Sequence, residues 1–336
     1  MRALTVNTQV PASRWTPSTK VGPSAKYGSF MFADQLRLDH GAFGISPAEA
    51  RSMDPQQNLV LSVGYSALRQ GGDFLSSIDS NIGVFVGLEA SGLKGRKEEA
   101  SVYSASGGAL SVTSGRLSYS LGLVGPCYSI DTACASSLSA LHACVITLKN
   151  EECKQGVGIG TKVLSEAVNT ANSVAGMLSS LGRCHTFDQR ADGYCRGEGC
   201  CAFLLQSTAA TGMNILGSAV QQDGPSASLT APNGLSQTRL IESVQCGSKG
   251  NSSLEAHGTG TALGDPIEVY YYFYRFNQYW YSVGRRCSSC TLQSFRWDCY
   301  PVYLPEVESG APGGGRGGCR AIISDCRASI GGDCCC

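Results

Sequence analysis

Residues Gly125-Pro126-Cys127-Tyr128-Ser129-Ile130-Asp131-Thr132-Ala133-Cys134-Ala135-Ser136-Ser137-Leu138 switch from one apolar period to another within a single stretch. The run ending at Ile130 reads as a short buried strand, and Leu138, Leu141, Val145 and Leu148 then recur at helical spacing. A strand that feeds straight into a helix is the repeating unit of layered α/β proteins. Cys134 falls at the junction. A helix start presents unpaired backbone N–H groups and a partial positive charge, which favour a thiolate over a thiol. The residues after Cys134 are small, as close approach of a substrate carbonyl to the backbone requires. A structural cysteine on a helix that begins there fits the same stretch, since free cysteine is among the most buried residue types.

The 336 residues suggest about two domains or one large α/β domain, with enough chain for a sizeable core. Lys plus Arg and Asp plus Glu balance at 26 each, so no global charge recruits nucleic acid or an anionic membrane surface. No apolar run approaches the ~20 residues that cross a bilayer. A soluble intracellular protein, cytoplasmic or plastid, is expected; the plastid option rests on a transit-peptide-like N-terminus with Arg2, Arg14, Lys20 and Lys26 and no acidic residue before Asp34. Of the 17 cysteines, those from Cys127 to Cys246 lie in apolar or glycine-rich contexts and read as reduced core thiols. The others crowd the stretch from Cys287 to Cys336.

Along the chain, the pattern from Gly44 to Ala67 predicts short helices broken at Pro47 and Pro55, and Asn81 to Leu88 reads as a strand. Gly156-Val157-Gly158-Ile159-Gly160 matches neither common phosphate-loop spacing and is better read as a tightly packed strand. Further strands are expected at Ala202 to Gln206 and Ile215 to Val220. Gly193-Tyr194-Cys195-Arg196-Gly197 has the spacing of a nucleophile elbow with cysteine for serine. Polar residues precede it and a strand follows it, which is the wrong context for an elbow.

A second dense stretch runs Glu255-Ala256-His257-Gly258-Thr259-Gly260-Thr261-Ala262-Leu263-Gly264-Asp265-Pro266-Ile267-Glu268. A histidine in a glycine- and threonine-rich turn, paired with a cysteine at a helix start, is the minimum for acyl transfer: the thiolate attacks a thioester and an imidazole N–H stabilises oxyanion charge. Asp131 to Ser137 and Glu255 to Thr261 resemble the two signature motifs of β-ketoacyl synthases, specifically the ketosynthase domains of modular-type polyketide synthases. Val10 to Trp15, Phe43 to Pro47, Met53 to Gln57, Asp192 to Gly199 and Asp223 to Gly234 follow in the family's order. The resemblance covers roughly Val10 to Val269.

That resemblance implies a thiolase-like αβαβα layered fold, usually dimeric. It implies Cys134 as the acyl-accepting nucleophile and His257 as the group that bonds the malonyl-thioester carbonyl and assists decarboxylation. Thr259 and Thr261 would bond the pantetheine arm. The substrates would be acyl and malonyl thioesters carried on the phosphopantetheine of an acyl carrier protein, with no resident cofactor and no metal.

The sequence also departs from the family. The glycine-containing strand and helix expected before Val10 are absent, which makes residues 1–9 an N-terminal extension, and the match stops at Val269. The family uses a second histidine further on, whereas the four here are His40, His142, His185 and His257. Residues 270–336 turn aromatic, then rich in Cys, Arg and Gly, with no helical or strand period. They are expected to be a truncated synthase's unmatched tail, arising from a frame change or retained non-coding sequence, and not to pack as the second half of the fold. Cys287-Ser288-Ser289-Cys290 is zinc-like but lacks a second close pair. Three functions therefore remain: a condensing enzyme, a catalytically impaired ketosynthase-like fragment that binds or pairs only, and a metal- or surface-binding role for the tail.

Overall fold

A computed structural model describes residues 7–17, 23–71, 80–91, 101–207, 213–244, 255–270 and 319–328. Strand β1 (Thr8–Gln9) pairs antiparallel with β2 (Tyr27–Gly28), so part of the segment read as an extension joins a small two-stranded sheet. Helices α1 (Pro47–Ser52) and α2 (Pro55–Gln70) follow, then β3 (Ile82–Gly87), α3 (Ser104–Gly107), α4 (Leu110–Leu121) and β4 (Cys127–Ile130). The chain continues through α5 (Ser136–Lys149), β5 (Gln155–Lys162), α6 (Glu166–Val174), β6 (Gly199–Gln206), β7 (Met213–Ile215) and α7 (Gly234–Val244), and ends its described part at β8 (Cys319–Ala328).

The prolines expected to break helices instead open them. Pro47 and Pro55 each occupy the first turn, where a missing N–H is not needed, and the residue before each caps the helix. Ser46 Oγ accepts from the Glu49 amide at 3.2 Å, and Asp54 Oδ1 accepts from the Gln56 amide at 2.8 Å. Freed of an interior break, α2 runs for 16 residues.

The main sheet has the order β4-β3-β5-β6-β8-β7. Strand β3 is parallel to both β4 and β5, and the remaining neighbours are antiparallel. Every residue of β3 is buried, and its alternation divides the core. Val84 and Val86 point to the layer of α2 and α4, packing with Leu59, Val63 and Leu117, while Phe85 points to the layer of α5 with Ala140, Val145 and Leu148. The described layers are thus helix, sheet, helix.

Three expectations need correction here. Strand β4 is not buried: it is the sheet's edge, its residues are half-buried or exposed, and Tyr128 is 50% exposed. The strand expected from Ile215 to Val220 is instead Met213–Ile215, where Ile215 pairs with Cys319 and residues 216–220 carry no strand. In the tail, Cys319–Ala328 forms a strand against β6, although the sequence there shows no strand period. The rest of the tail, including Cys287 and Cys290, lies outside the described residues. Among the described residues no helix is long and apolar enough to cross a membrane, and no cluster of three or more His, Cys, Asp or Glu could hold a metal ion.

The glycines of β5 explain how α5 reaches the sheet. Gly156, Gly158 and Gly160 share one face at period two, and a methyl group on them would run into Cys144, Leu141 and Ser137 of α5. Without side chains there, the helix that follows Cys134 lies directly on the strand. At the helix start the approach is closer still, since a methyl group at Gly87 would overlap the carbonyl of Ser136 and the amide of Ser137.

Candidate active site

Cys134 lies in a short 3-10 turn, Ala133–Ala135, between the end of β4 and the first residue of α5. The turn is tied by its own side chains. Asp131 Oδ1 accepts from the Ala133 amide at 3.0 Å, and Ser136 Oγ accepts from the Thr132 amide at 2.9 Å while donating to the Ala133 carbonyl at 2.7 Å. These bonds hold Ala133 at φ 53°, the left-handed region that costs a residue with a Cβ roughly 1–2 kcal/mol. Such strain, held by its surroundings, presents Cys134 half-exposed at the end of the helix, whereas Cys144 on the same helix is fully buried. Cys134 is a thiol, not part of a disulfide.

A groove of about 730 Å³ opens beside this turn. Thr132 and Ala135, on either side of Cys134, line it together with Leu138, Leu141 and His142 of α5. Residues between Ile215 and Ala231, with Leu240, form the other wall. His142 Nδ1 meets Ser218 Oγ at 3.0 Å across the groove. Burial lowers the pKa of His142, with a further push from Lys149.

His257 stands on a separate support. Glu268 accepts the His257 amide at 2.9 Å on Oε1 and the Gly258 amide at 2.8 Å on Oε2. Asp265 accepts the Gly260 amide at 3.0 Å and, with its other oxygen, the Phe187 amide at 2.6 Å. Residues 184–193 complete the cradle: Thr186 Oγ1 donates to the Gly258 carbonyl at 2.6 Å, and the Gly193 amide donates to the Gly260 carbonyl at 3.0 Å. Gly260 has φ +72°, and a Cβ on it would come within 2.9 Å of the His185 amide nitrogen, so only glycine fits.

Burial drives the His257 imidazole down to about 4, so at neutral pH the ring is uncharged and one of its nitrogens carries a proton to donate. Burial drives Glu268 up to about 7, opposed by the two amides it accepts and reinforced by the nearby charge of Asp265. Glu255 is likewise pushed up to about 7 by burial. The hydroxyls of Thr259 and Thr261 lie 2.9 Å apart, and Thr261 Oγ1 also accepts from the Gly264 amide at 3.1 Å. The structure thus pairs the two threonines with each other and places Cys134 between two groove-lining residues, Thr132 and Ala135; Cys134, His257, Thr259 and Thr261 are not themselves among the lining residues.

Asp265 and Glu268 went unassigned in the sequence, although their spacing of three on the helical residues 264–270 puts both carboxylates on one face, toward the loop they hold. Ser136 likewise carried no visible sign of its role. The elbow-like Cys195 is 2% exposed, with β6 and not a helix after it, so the structure gives it no nucleophile geometry.

A layered α/β core that presents a cysteine between an edge strand and a helix of the central sheet is the thiolase-like fold. The N-terminal domain model of β-ketoacyl synthases matches residues 3–210, and the C-terminal domain model matches residues 213–279, past the Val269 limit read from the sequence. The chain belongs to the β-ketoacyl synthase family. It is 41% identical over 280 residues to erythronolide synthase EryA3 of Saccharopolyspora erythraea, covering 78% of this chain and 9% of that protein. It is 41% identical over 258 residues to the phenolphthiocerol synthesis polyketide synthase type I Pks15/1 of Mycobacterium marinum, covering 73% of this chain and 12% of that protein. The ketosynthase from module 6 of the bacillaene synthase from Bacillus subtilis 168 superimposes with a TM-score of 0.71 at 31% identity, covering 81% of this chain and 49% of that one. The chain therefore spans about half of this solved ketosynthase and a small part of the much longer synthases.

Proposed function

We propose that this chain is a ketosynthase domain of the polyketide type, carrying out decarboxylative Claisen condensation. The observation that carries the reading is the presentation of Cys134, half-exposed, on a strained strand-to-helix turn whose residues Thr132 and Ala135 line a groove. The Cys134 thiolate attacks the carbonyl carbon of an acyl thioester, and the phosphopantetheine thiol of the acyl carrier protein leaves. A malonyl thioester then loses carbon dioxide, and the resulting enolate forms a carbon–carbon bond to the acyl carbon as the Cys134 thiolate departs. His257, neutral because it is buried, donates its N–H to the malonyl-thioester carbonyl as negative charge develops there. Thr259 and Thr261 bond the pantetheine arm by exchanging their mutual hydrogen bond for bonds to it.

A homodimer belongs to the same reading. Among the described residues β4 has a strand neighbour on one side only, which leaves an edge for a second copy. Acyl loading needs only the Cys134 thiolate and an oxyanion site, whereas decarboxylation also needs its imidazole donor, so loading is expected to outpace condensation. Loss of one transition-state donor slows a step by a factor on the order of a hundred or more.

The test is to incubate the protein with an acyl N-acetylcysteamine thioester, map the adduct by mass spectrometry, and measure carbon dioxide release from malonyl carrier protein. An acyl group on Cys134 with slower carbon dioxide release is the expected result. Acylation elsewhere, or none, overturns the assignment.

A further inference from the structure

Cys195, which has no place in the acyl-transfer reading, lies against Cys184. The Cys195 amide donates to Cys184 Sγ at 3.1 Å, and the same sulfur is 3.9 Å from the Cys195 carbonyl oxygen. The two side chains form a small cluster of their own with Tyr27 and Tyr194, at 7% and 2% exposure. The Cys184 sulfur touches the backbone of residue 195, the Cys195 thiol lies 3.9 Å from the Arg196 carbonyl, and the two side chains pack in one cluster, which brings the pair into the neighbourhood a disulfide needs. Cys200 and Cys201 are closer in sequence, but as neighbours in a strand they point to opposite faces.

The segment between these cysteines is the one that cradles the His257 loop. Thr186 and Gly193 bond to the carbonyls of Gly258 and Gly260, and the Phe187 amide shares Asp265 with Gly260. Cys184 and Cys195 are the two ends of this strap. A bond between them closes the strap into a ring and fixes its grip on the loop.

We propose that Cys184 and Cys195 are a redox modification site, forming a reversible disulfide when a peroxide oxidises the protein and thereby locking the support of the His257 loop. One thiolate attacks a peroxide oxygen, giving a sulfenic acid and hydroxide, which takes up the proton released by the thiol. The second sulfur displaces the sulfenic oxygen as water, forming the S–S bond. In sum, two thiols lose two hydrogens and hydrogen peroxide becomes two molecules of water.

The sequence permits a direct test. Arg183, Arg190 and Arg196 place Cys184 and Cys195 on separate tryptic peptides, 184–190 and 191–196, each with a single cysteine. The full-length chain is treated with hydrogen peroxide, alkylated, denatured and digested with trypsin. The expected product is the two peptides joined, two hydrogens lighter than their sum and released by dithiothreitol, with slower amide hydrogen exchange at Gly258 and Gly260 in the oxidised protein. Both peptides recovered separately and alkylated, a sulfinic or sulfonic acid on either one, or pairing with another cysteine overturns the proposal. The wild-type map needs no variant. Cys195→Ser, checked for folding by circular dichroism, must abolish the joined product and leave the Gly258 and Gly260 exchange rates insensitive to peroxide.

Discussion

The turn that carries Cys134 is positioned by carbon packing, with α5 pressed onto β3 and β5 through glycines, whereas the loop that carries His257 is positioned by two buried carboxylates. The first arrangement rests on close packing and on the short bonds of Asp131 and Ser136 within the turn. The second hangs on Glu268, whose carboxyl sits at about 7. The two supports therefore answer to different perturbations: the Cys134 turn to shape, the His257 loop to protonation and loss of polar partners.

Steric damage gives the largest effect. Gly87→Val places atoms where the backbone of Ser136 and Ser137 lies, so α5 must move, and a loss of about 3 kcal/mol is expected in chemical unfolding. The rate of Cys134 alkylation by iodoacetamide should change with it. An unaltered midpoint and rate would show that the close contact does not set the turn.

Removing a polar anchor comes next. Glu268→Ala strips the acceptor from two backbone amides, a loss of about 2 kcal/mol for donors left unsatisfied in a buried place. Alkylation of Cys134 should stay at the wild-type rate in native buffer. If it shifts as much as the stability does, the two supports are one cooperative unit and the contrast between them fails.

The smallest effect is the one that pH resolves. His257 has a pKa lowered from 6.5 to about 4, so its contribution to stability is fully present above 6.5 and is lost as pH falls toward 4. Glu268 has a pKa raised from 4.5 to about 7, so its contribution is present below 4.5 and is lost as pH rises through 7. In the wild type these slopes oppose each other. Glu255, also raised to about 7, adds to the Glu268 slope, so Glu268→Gln should flatten the fall with pH and His257→Asn should steepen it between 4.5 and 7. Thermal unfolding across pH reads both, and parallel profiles for the two variants would contradict the assignment.

How much of this was legible in the sequence depended on whether the determinant was local. The strands β3 and β5 and the helix α5 follow from periodicity, and even the period-two glycines of β5 read as close packing. The prolines misled because the same residue that ends a helix from inside begins one at its first turn, and the capping residues Ser46 and Asp54 were the signal that distinguishes the cases. The position of β7 at Met213–Ile215 could not be seen, since it is set by pairing with β8, more than a hundred residues along the chain. The motif around His257 marked the loop but not what grips it: Asp265 reaches Phe187, a contact across 78 positions.

The groove beside Cys134 has two walls of unequal mutability. On one side, α5 lies on side-chain-free strand and can accept few new shapes without displacing Cys134. On the other, the chain from residue 216 to 231 carries no strand or helix, and Val220 and Leu229 are exposed. Under the proposed condensation, selection for a different acyl group would write its changes into that loop and leave the turn that carries Cys134 as it is.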